Sequence, residues 1–335
     1  MTENATAELR GVGAVATASV LAAPPVDGPD AEPGEPQRRR PALSPSRAGD
    51  YKTCPLLYRY RAIDRLPEPP SPEAARGSLV HAVLEELFAL PAEQRTERTA
   101  LDAVEPMWKR LSEEYPGWPG LPEPEQEVDA PADSPTVEPG STAGAILGDW
   151  LESARDRLRT YFALEDPTRF SAEATELLLE IEVGDGVLLR GYLDRLDVSA
   201  GGAIRIVDYK TGRAPGELFE QSALFQMKFY ALMVLRSRGL LPRQLKLLYL
   251  GDGSYLTYAP AEDELAAFER TLGALWQAIL RSRRTGEFIP RPGRSCQWCA
   301  YKPFCPEFGG TPPPYPFPDA DPEQSDVREA VPSPG

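Results

Sequence analysis

The hydrophobic residues follow a helical period in some segments and a strand period in others, which predicts an α/β fold. After a Ser-Pro-Glu start, residues 71 to 90 carry apolar side chains at 79, 80, 83, 84, 87 and 88. The predicted elements in chain order are helices at 71–90, 97–115 and 141–165, strands at 174–183, 186–198 and 203–209, a helix at 217–238, a strand at 245–250 and a helix at 261–285. This order predicts a central mixed sheet flanked by helices, with a helical N-terminal part.

Two neighbouring strands place polar side chains close together. Ser199-Ala200-Gly201-Gly202 separates the second and third predicted strands and indicates a hairpin. Asp208 and Lys210 are two residues apart and therefore face the same side of their strand. The hairpin can bring Asp194 alongside them, which would make a compact site of two carboxylates and an amine. The same residue types also close ordinary strands before a turn, so Asp-Tyr-Lys-Thr-Gly alone leaves both interpretations open.

The negative charge is concentrated in three segments of the 335-residue chain. The formal net charge is −15, and residues 1–46, 116–140 and 309–335 carry −2, −6 and −4, so the remaining body carries only −3. Each segment is rich in proline, glycine and acidic residues, which predicts a disordered arm, a disordered insertion and a disordered tail around one domain at 47–308. The overall acidity therefore does not exclude a nucleic-acid partner.

No segment has the pattern of a membrane span or an export signal. The small apolar stretch from Gly11 to Pro25 lacks a positively charged start and is too weakly hydrophobic to cross a bilayer. We therefore expect a cytoplasmic protein without a membrane partner.

His81 is the sole histidine of the chain and lies in the first predicted long helix. A lone histidine is more often structural than a ligand. A neutral imidazole can nevertheless join carboxylates on a divalent cation, so both interpretations stay open.

The four cysteines form one single residue and one cluster. Cys54 lies near the start of the predicted domain, and Cys296, Cys299 and Cys305 form a C-x₂-C-x₅-C group near its end. In a cytoplasmic chain, clustered thiols are more often metal ligands than disulfides. Four thiolates suit either an iron-sulfur cluster or a structural Zn²⁺. Joint coordination would close a loop that spans nearly the whole domain.

Four motifs occur in a fixed order, and together they resemble a known family. They are Gly77-x-x-x-His81, Gly191-x-x-Asp194-Arg195, Asp208-Tyr209-Lys210-Thr211-Gly212 and Gln226-x-x-x-Tyr230. From residue 43 to residue 307 the chain resembles the RecB-like exonucleases of the PD-(D/E)XK nuclease superfamily. The resemblance implies a restriction-endonuclease-like core followed by a C-terminal cysteine cluster. The cysteine spacing resembles the 4Fe-4S staple of AddB-type and CRISPR-associated relatives, with Zn²⁺ as the alternative.

The resemblance also implies a role for each motif residue. His81, Asp194, Asp208 and the Tyr209 carbonyl would bind Mg²⁺ or Mn²⁺. Lys210 would be the catalytic amine, either as a base or by holding the attacking water. The family places an acidic residue on the preceding strand, where Glu176, Glu180 and Glu182 compete and Glu176 is favoured. Gln226 and Tyr230 would contact substrate, although an exposed glutamine and a core-facing tyrosine would give the same spacing.

These implications predict a metal-dependent DNA nuclease, an exonuclease on single strands or ends, acting in repair or recombination. The alternative is an iron-sulfur DNA-binding or scaffold subunit of a helicase-nuclease complex with a vestigial site. The complete set of His81, Asp194, Asp208 and Lys210 favours the enzyme. The sequence contains no G-x-x-x-x-G-K-[ST] phosphate loop. A helicase would therefore have to act in trans if unwound DNA is required.

Overall fold

The computed structural model describes residues 40–68, 71–115, 142–184, 186–214 and 220–317. Its α-helices are α1 (Pro45–Thr53), α2 (Pro55–Tyr58), α3 (Pro72–Ala89), α4 (Glu97–Glu114), α5 (Thr142–Leu164), α6 (Glu220–Arg238) and α7 (Glu262–Thr285). Its strands are β1 (Ala172–Val183), β2 (Val187–Val198), β3 (Ile204–Lys210), β4 (Gln244–Tyr249) and β5 (Ser254–Tyr258).

The five strands form one mixed sheet in the order β1-β2-β3-β4-β5. The pair of β3 and β4 is parallel, whereas the other three pairs are antiparallel. Helix α6 makes the crossover that a parallel pair requires. The predicted mixed sheet flanked by helices is confirmed. Strand β5 was not predicted, because its five residues form a half-exposed edge strand that follows a tight turn directly.

Helices cover both faces of the sheet and divide the core into two parts. Leu193, Ile206 and Leu245 pack with α1, α6 and α7 on one face. Val207 and Tyr209 pack with α3, α4 and α5 on the other. Successive residues of β3 thus enter opposite cores, as strand alternation requires. No helix in the described parts of the chain combines the length and apolarity of a bilayer span.

The described structure extends past the predicted domain boundaries of 47 and 308 at both ends. Leu43 is fully buried, its amide donates to the Leu188 carbonyl at 2.8 Å, and its carbonyl accepts from the Arg190 amide at 3.0 Å. Tyr315 packs against the core and donates to the Arg283 carbonyl at 2.7 Å. A single apolar residue in a proline-rich segment can therefore occupy a core position, although the composition of the segment predicts disorder. The rest of the predicted arm, insertion and tail lies outside the described residues.

Candidate active site

The regular alternation of β1 and β2 breaks at two acidic residues. Ala174 and Leu177 are three residues apart yet pack on the same core, and Leu193 and Leu196 do the same. Because Thr175 pairs with Arg195 and Leu177 with Leu193, positions 176 and 194 lie opposite each other. Glu176 has φ +45°. A non-glycine residue in this left-handed region carries a cost of about 1–2 kcal/mol, and such costs concentrate at functional sites.

This break brings Glu176 and Asp194 together with the sole histidine. His81 Nδ1 lies 3.5 Å from Glu176 Oε1 and 3.7 Å from Asp194 Oδ2. One ligand atom from each of the three residues lies within 4.8 Å of the others. Glu180 and Glu182 pair instead with Arg190 and Arg40. Of the three competing glutamates, the structure therefore places Glu176 at the site.

The backbone of Tyr209 orients both partners of Glu176. Its amide donates to Asp194 Oδ2 at 2.6 Å, and its carbonyl lies 2.9 Å from His81 Nε2. With the proton on Nε2, the imidazole donates to this carbonyl and turns Nδ1 toward the carboxylates. Nδ1 would carry a proton in the absence of a metal ion and offer its lone pair to a bound one, an arrangement common around metal-bound histidines. In this geometry the Tyr209 carbonyl, which was predicted to be a metal ligand, is already engaged by His81.

Asp208 and Lys210 lie beside this group on the same side of β3. Lys210 Nζ is 2.8 Å from Asp208 Oδ2. Asp208 Oδ2 is buried, and the Lys210 ammonium is its charged neighbour. A buried carboxylate oxygen is costly without a cation beside it, and Lys210 offsets this cost only in part. Together with the imidazole and the other two carboxylates, this oxygen fits the ligand preferences of a hard divalent ion such as Mg²⁺ or Mn²⁺.

The Gln-Tyr pair of α6 contacts the same carboxylate. Gln226 Nε2 donates to Asp208 Oδ1 at 3.1 Å and to the Tyr230 hydroxyl at 3.3 Å. Tyr230 is buried and packs over Gly191, where a Cβ would lie 3.0 Å from its ring. The tyrosine thus faces the core, whereas the glutamine turns toward the catalytic residues rather than toward solvent.

The crowding of acidic groups shifts their protonation. Burial raises the pKa of Asp208 to about 6, because Lys210 only partly offsets desolvation and Asp194 adds repulsion. Burial also raises the pKa of Asp194. Desolvation alone would lower the pKa of His81, but Asp194 and Glu176 outweigh it and raise that pKa to about 9. The site therefore favours a bound proton or cation over ionised carboxylates with no positive charge beside them.

A cleft of about 410 Å³ opens beside Lys210. Helix α3, the end of β3 with the loop that follows it, helix α6 and Tyr249 form its walls. The loop after β4 packs against the loop after β3 at Gly251. A side chain would not fit there, because a Cβ would lie 2.5 Å from the Gly212 carbonyl oxygen. A depression of about 450 Å³ beside Glu86 and Arg110 lies away from these residues.

The four cysteines come from the two ends of the described chain. Cys54 lies between α1 and α2, and Cys296, Cys299 and Cys305 lie on short turns after α7. Burial raises the pKa of Cys305, and the other three cysteines add to this through repulsion. The Arg291 amide donates to Cys54 Sγ and the Gly293 amide to Cys296 Sγ, both at 3.4 Å. Four half-buried thiols are the donor set that an iron-sulfur cluster or a structural Zn²⁺ uses.

Sequence reasoning missed the basic residues around the site. Arg157 on α5 donates through Nε to the Thr211 carbonyl at 2.9 Å, directly beyond Lys210. Arg195 is fully buried and donates to the Tyr209 hydroxyl at 2.7 Å. Neither contact has a local sequence signal, because the partners are 54 and 14 residues apart.

A mixed sheet with carboxylates of three adjacent strands clustered beside a lysine fits a nuclease, an enzyme that hydrolyses phosphodiester bonds. The chain belongs to the PD-(D/E)XK nuclease superfamily, whose family model matches residues 42–306. It is 29% identical over 226 residues to the Gene 69 protein of Mycobacterium phage D29, covering 61% of this chain and 72% of the phage protein. It also resembles the solved structure of a "Putative exonuclease" from Eubacterium rectale, with a TM-score of 0.48 and 13% identity over 77% of this chain and 86% of that chain.

Proposed function

We propose that this nuclease is a metal-dependent deoxyribonuclease that acts as an exonuclease on single strands or ends, in DNA repair or recombination. One observation carries the proposal: the three-residue group of His81, Glu176 and Asp194 lies next to Asp208 and Lys210 at one cleft. A volume of about 410 Å³ is in the size range of ordinary ligand pockets and suits the end of a DNA strand.

The residues of the site would have different roles in phosphodiester hydrolysis. Glu176, Asp194, Asp208 and His81 would hold Mg²⁺ or Mn²⁺, which supplies charge neutralisation at phosphate oxygens and an acidic bound water. Lys210 lies where it can hold the attacking water by a hydrogen bond. Desolvation lowers the pKa of Lys210, but the charges of Asp208 and Asp194 outweigh it and raise that pKa, so the protonated amine would act as a donor rather than as a base. Gln226 orients Asp208, and the Tyr209 backbone orients Asp194 and His81. Pre-set orientation of this kind lowers the cost of reaching the transition state.

A cleavage assay tests the enzyme directly. Purified protein is incubated with single-stranded and duplex DNA, labelled at either end, in Mn²⁺, Mg²⁺ or EDTA. We expect metal-dependent release of products from one labelled end, and we expect Asp208→Ala and Lys210→Ala to abolish it. Lys109→Ala is the matched control, because Lys109 is exposed on α4 away from the site. Full activity in Lys210→Ala would contradict the proposed role of Lys210. No cleavage by anaerobically purified wild type would contradict the proposal itself and favour the scaffold alternative.

The four cysteines are proposed to bind a 4Fe-4S cluster that joins the two ends of the domain. The one-plus-three arrangement supports this, since closing so long a loop stabilises the folded chain. Anaerobically purified protein should be brown and contain about four iron atoms per chain. Cys54→Ser should lose the colour and melt at a lower temperature. Colourless wild type with stoichiometric zinc would overturn the cluster and establish the Zn²⁺ alternative.

A further inference from the structure

Two arginines from different helices converge beside the loop that follows Lys210. Arg76 on α3 donates through Nη1 to Ser153 Oγ on α5 at 3.3 Å. Arg157 lies one turn further along α5 and donates through Nε to the Thr211 carbonyl at 2.9 Å. Each of these bonds fixes a guanidinium in the region where α3, α5 and this loop meet.

No carboxylate of the described residues forms an ion pair with either guanidinium. By contrast, Arg155 and Arg159 on α5 both pair with Glu152. Arg76 Nε is buried and has no hydrogen-bond partner. Burial lowers the pKa of Arg76, the charge of Arg157 lowers it further, and Glu73 offsets this only in part. Like charges held together in this way are costly unless an anion binds between them.

The pair also lies next to the catalytic cleft. Gly77, which follows Arg76, lines this cleft together with Lys210 and Thr211. A Cβ at Gly77 would contact Thr211 Oγ1 at 3.5 Å, so α3 touches the loop here. Arg76 directly precedes the lining residue Gly77, and Arg157 contacts the lining residue Thr211, so each arginine lies one residue behind the lining of the cleft.

We propose that Arg76 and Arg157 bind a non-scissile phosphate of the DNA strand whose neighbouring phosphate is hydrolysed. The assignment rests on the proposed function, because it assumes a nucleic-acid strand in the cleft. A phosphodiester offers two charged oxygens, and planar guanidiniums bind these through paired N–H groups. With Nε of Arg157 engaged by Thr211, its terminal nitrogens remain for the anion. The pair would hold the strand in register while the carboxylate site acts on the next bond.

The first test compares Arg76→Met, Arg157→Met and the double variant with Arg159→Met, a control on the exposed side of α5. Affinity for a fluorescent single-stranded oligonucleotide is measured by anisotropy in EDTA over a range of salt concentrations. Each variant should bind on the order of tenfold more weakly. The slope of log K against log salt should fall by about 0.7 for the lost phosphate contact. Arg159→Met should match wild type.

The second test places a single neutral methylphosphonate at successive positions of a cleavable oligonucleotide. Wild type should show one position, next to the cleaved bond, where KM rises on the order of tenfold. The double Arg76→Met, Arg157→Met variant should show no further rise at that position. Arg76→Lys and Arg157→Lys keep the charge, so their rise in KM at that position should lie between that of wild type and that of the double methionine variant. These lysine variants test the site if a methionine variant does not fold.

The outcomes separate this assignment from the proposed function. If wild type and Arg159→Met cleave normally but the methionine variants keep the wild-type salt slope and methylphosphonate profile, the phosphate site is wrong. A drop in kcat on all substrates with unchanged affinity would also overturn it, because Arg157 would then only clamp the Thr211 loop. Failure of wild type to cleave any DNA would count against the proposed function itself, whereas the anisotropy measurement would still test the arginines.

Discussion

Asp194 and Arg195 are neighbours on β2, yet they belong to two buried charge clusters of opposite character. Arg195 centres a structural network, and Asp194 belongs to the proposed catalytic cluster. The structural network consists of Glu165, Arg195, Asp197, Arg205 and Lys246. The catalytic cluster consists of His81, Glu176, Asp194, Asp208 and Lys210. The contrast between them shows which buried charges maintain the fold and which are held for a ligand.

In the structural network, the charges satisfy each other. Arg195 is fully buried and contacts Glu165 at 2.8 Å and Asp197 at 3.0 Å. Its guanidinium carbon also lies 4.9 Å and 4.8 Å from the ring centres of Phe88 and Phe170. Such a group has its hydrogen-bond donors occupied and its faces covered by aromatic rings. The network therefore needs no partner from outside the protein.

The catalytic cluster is left incomplete by comparison. It contains three carboxylates, and burial raises the pKa values of Asp194 and Asp208 despite the nearby Lys210. Tyr209 connects the two clusters: its hydroxyl accepts from Arg195, while its backbone contacts Asp194 and His81. We infer that the complete network holds the strand ends rigid so that the incomplete cluster keeps its geometry.

The largest effect is expected from neutralising Asp194. Asp194→Asn keeps an oxygen for the Tyr209 amide but removes a charge from the proposed metal site. We expect kcat to fall on the order of a thousandfold, which corresponds to about 4 kcal/mol. Because the folded site raises the pKa of Asp194, removing its charge should leave the melting temperature in EDTA unchanged or higher. A clear loss of thermal stability would show that Asp194 belongs with the structural charges.

Arg195→Met should mainly lower the stability of the fold, whereas Asp194→Asn should mainly lower kcat. Arg195→Met leaves Glu165 and Asp197 buried without their central partner, and breaking a buried pair in this way costs about 3–5 kcal/mol. Urea unfolding followed by circular dichroism measures this cost. Arg98→Met is the control, because Arg98 pairs with Asp102 on the exposed face of α4 and should change stability by less than about 1 kcal/mol. Equal stability of the two variants would contradict the comparison.

Sequence patterns predicted the catalytic cluster better than the structural network. The alternation at Asp208 and Lys210 and the hairpin before them are local features, and the structure brings these residues and Asp194 together. The left-handed conformation of Glu176 was not predictable, because neither glycine nor asparagine marks that position. The contact of Arg195 with Glu165 joins residues 30 apart through the packing of α5 on the sheet. Periodicity carries no information about such a pairing.

The structural network also predicts a loss of stability in acid. Burial alone would raise the pKa of Glu165, but Arg195 and Lys246 together outweigh it, so this pKa lies below the ordinary value of 4.5. The carboxylate therefore contributes stability above the unfolded-state pKa and loses it as pH falls through the lower folded-state pKa. The difference in unfolding free energy between wild type and Glu165→Gln should be constant between about pH 5 and 8 and shrink below about pH 4.5. A difference that persists unchanged into strong acid would contradict this assignment.

The smallest effect concerns the backbone of Glu176. At an ordinary strand position, glycine is less stable than alanine by about 0.5–1 kcal/mol. At Glu176, where φ is +45°, alanine keeps the left-handed strain and glycine relieves it. Glu176→Gly should therefore be more stable than Glu176→Ala by about 1 kcal/mol, while both variants lose cleavage. Thr175→Gly and Thr175→Ala on the same strand are the matched controls and should show the ordinary order in urea melts. If alanine were the more stable residue at both positions, Glu176 would carry no strain, and the break in β1 would be a packing irregularity rather than part of the catalytic cluster.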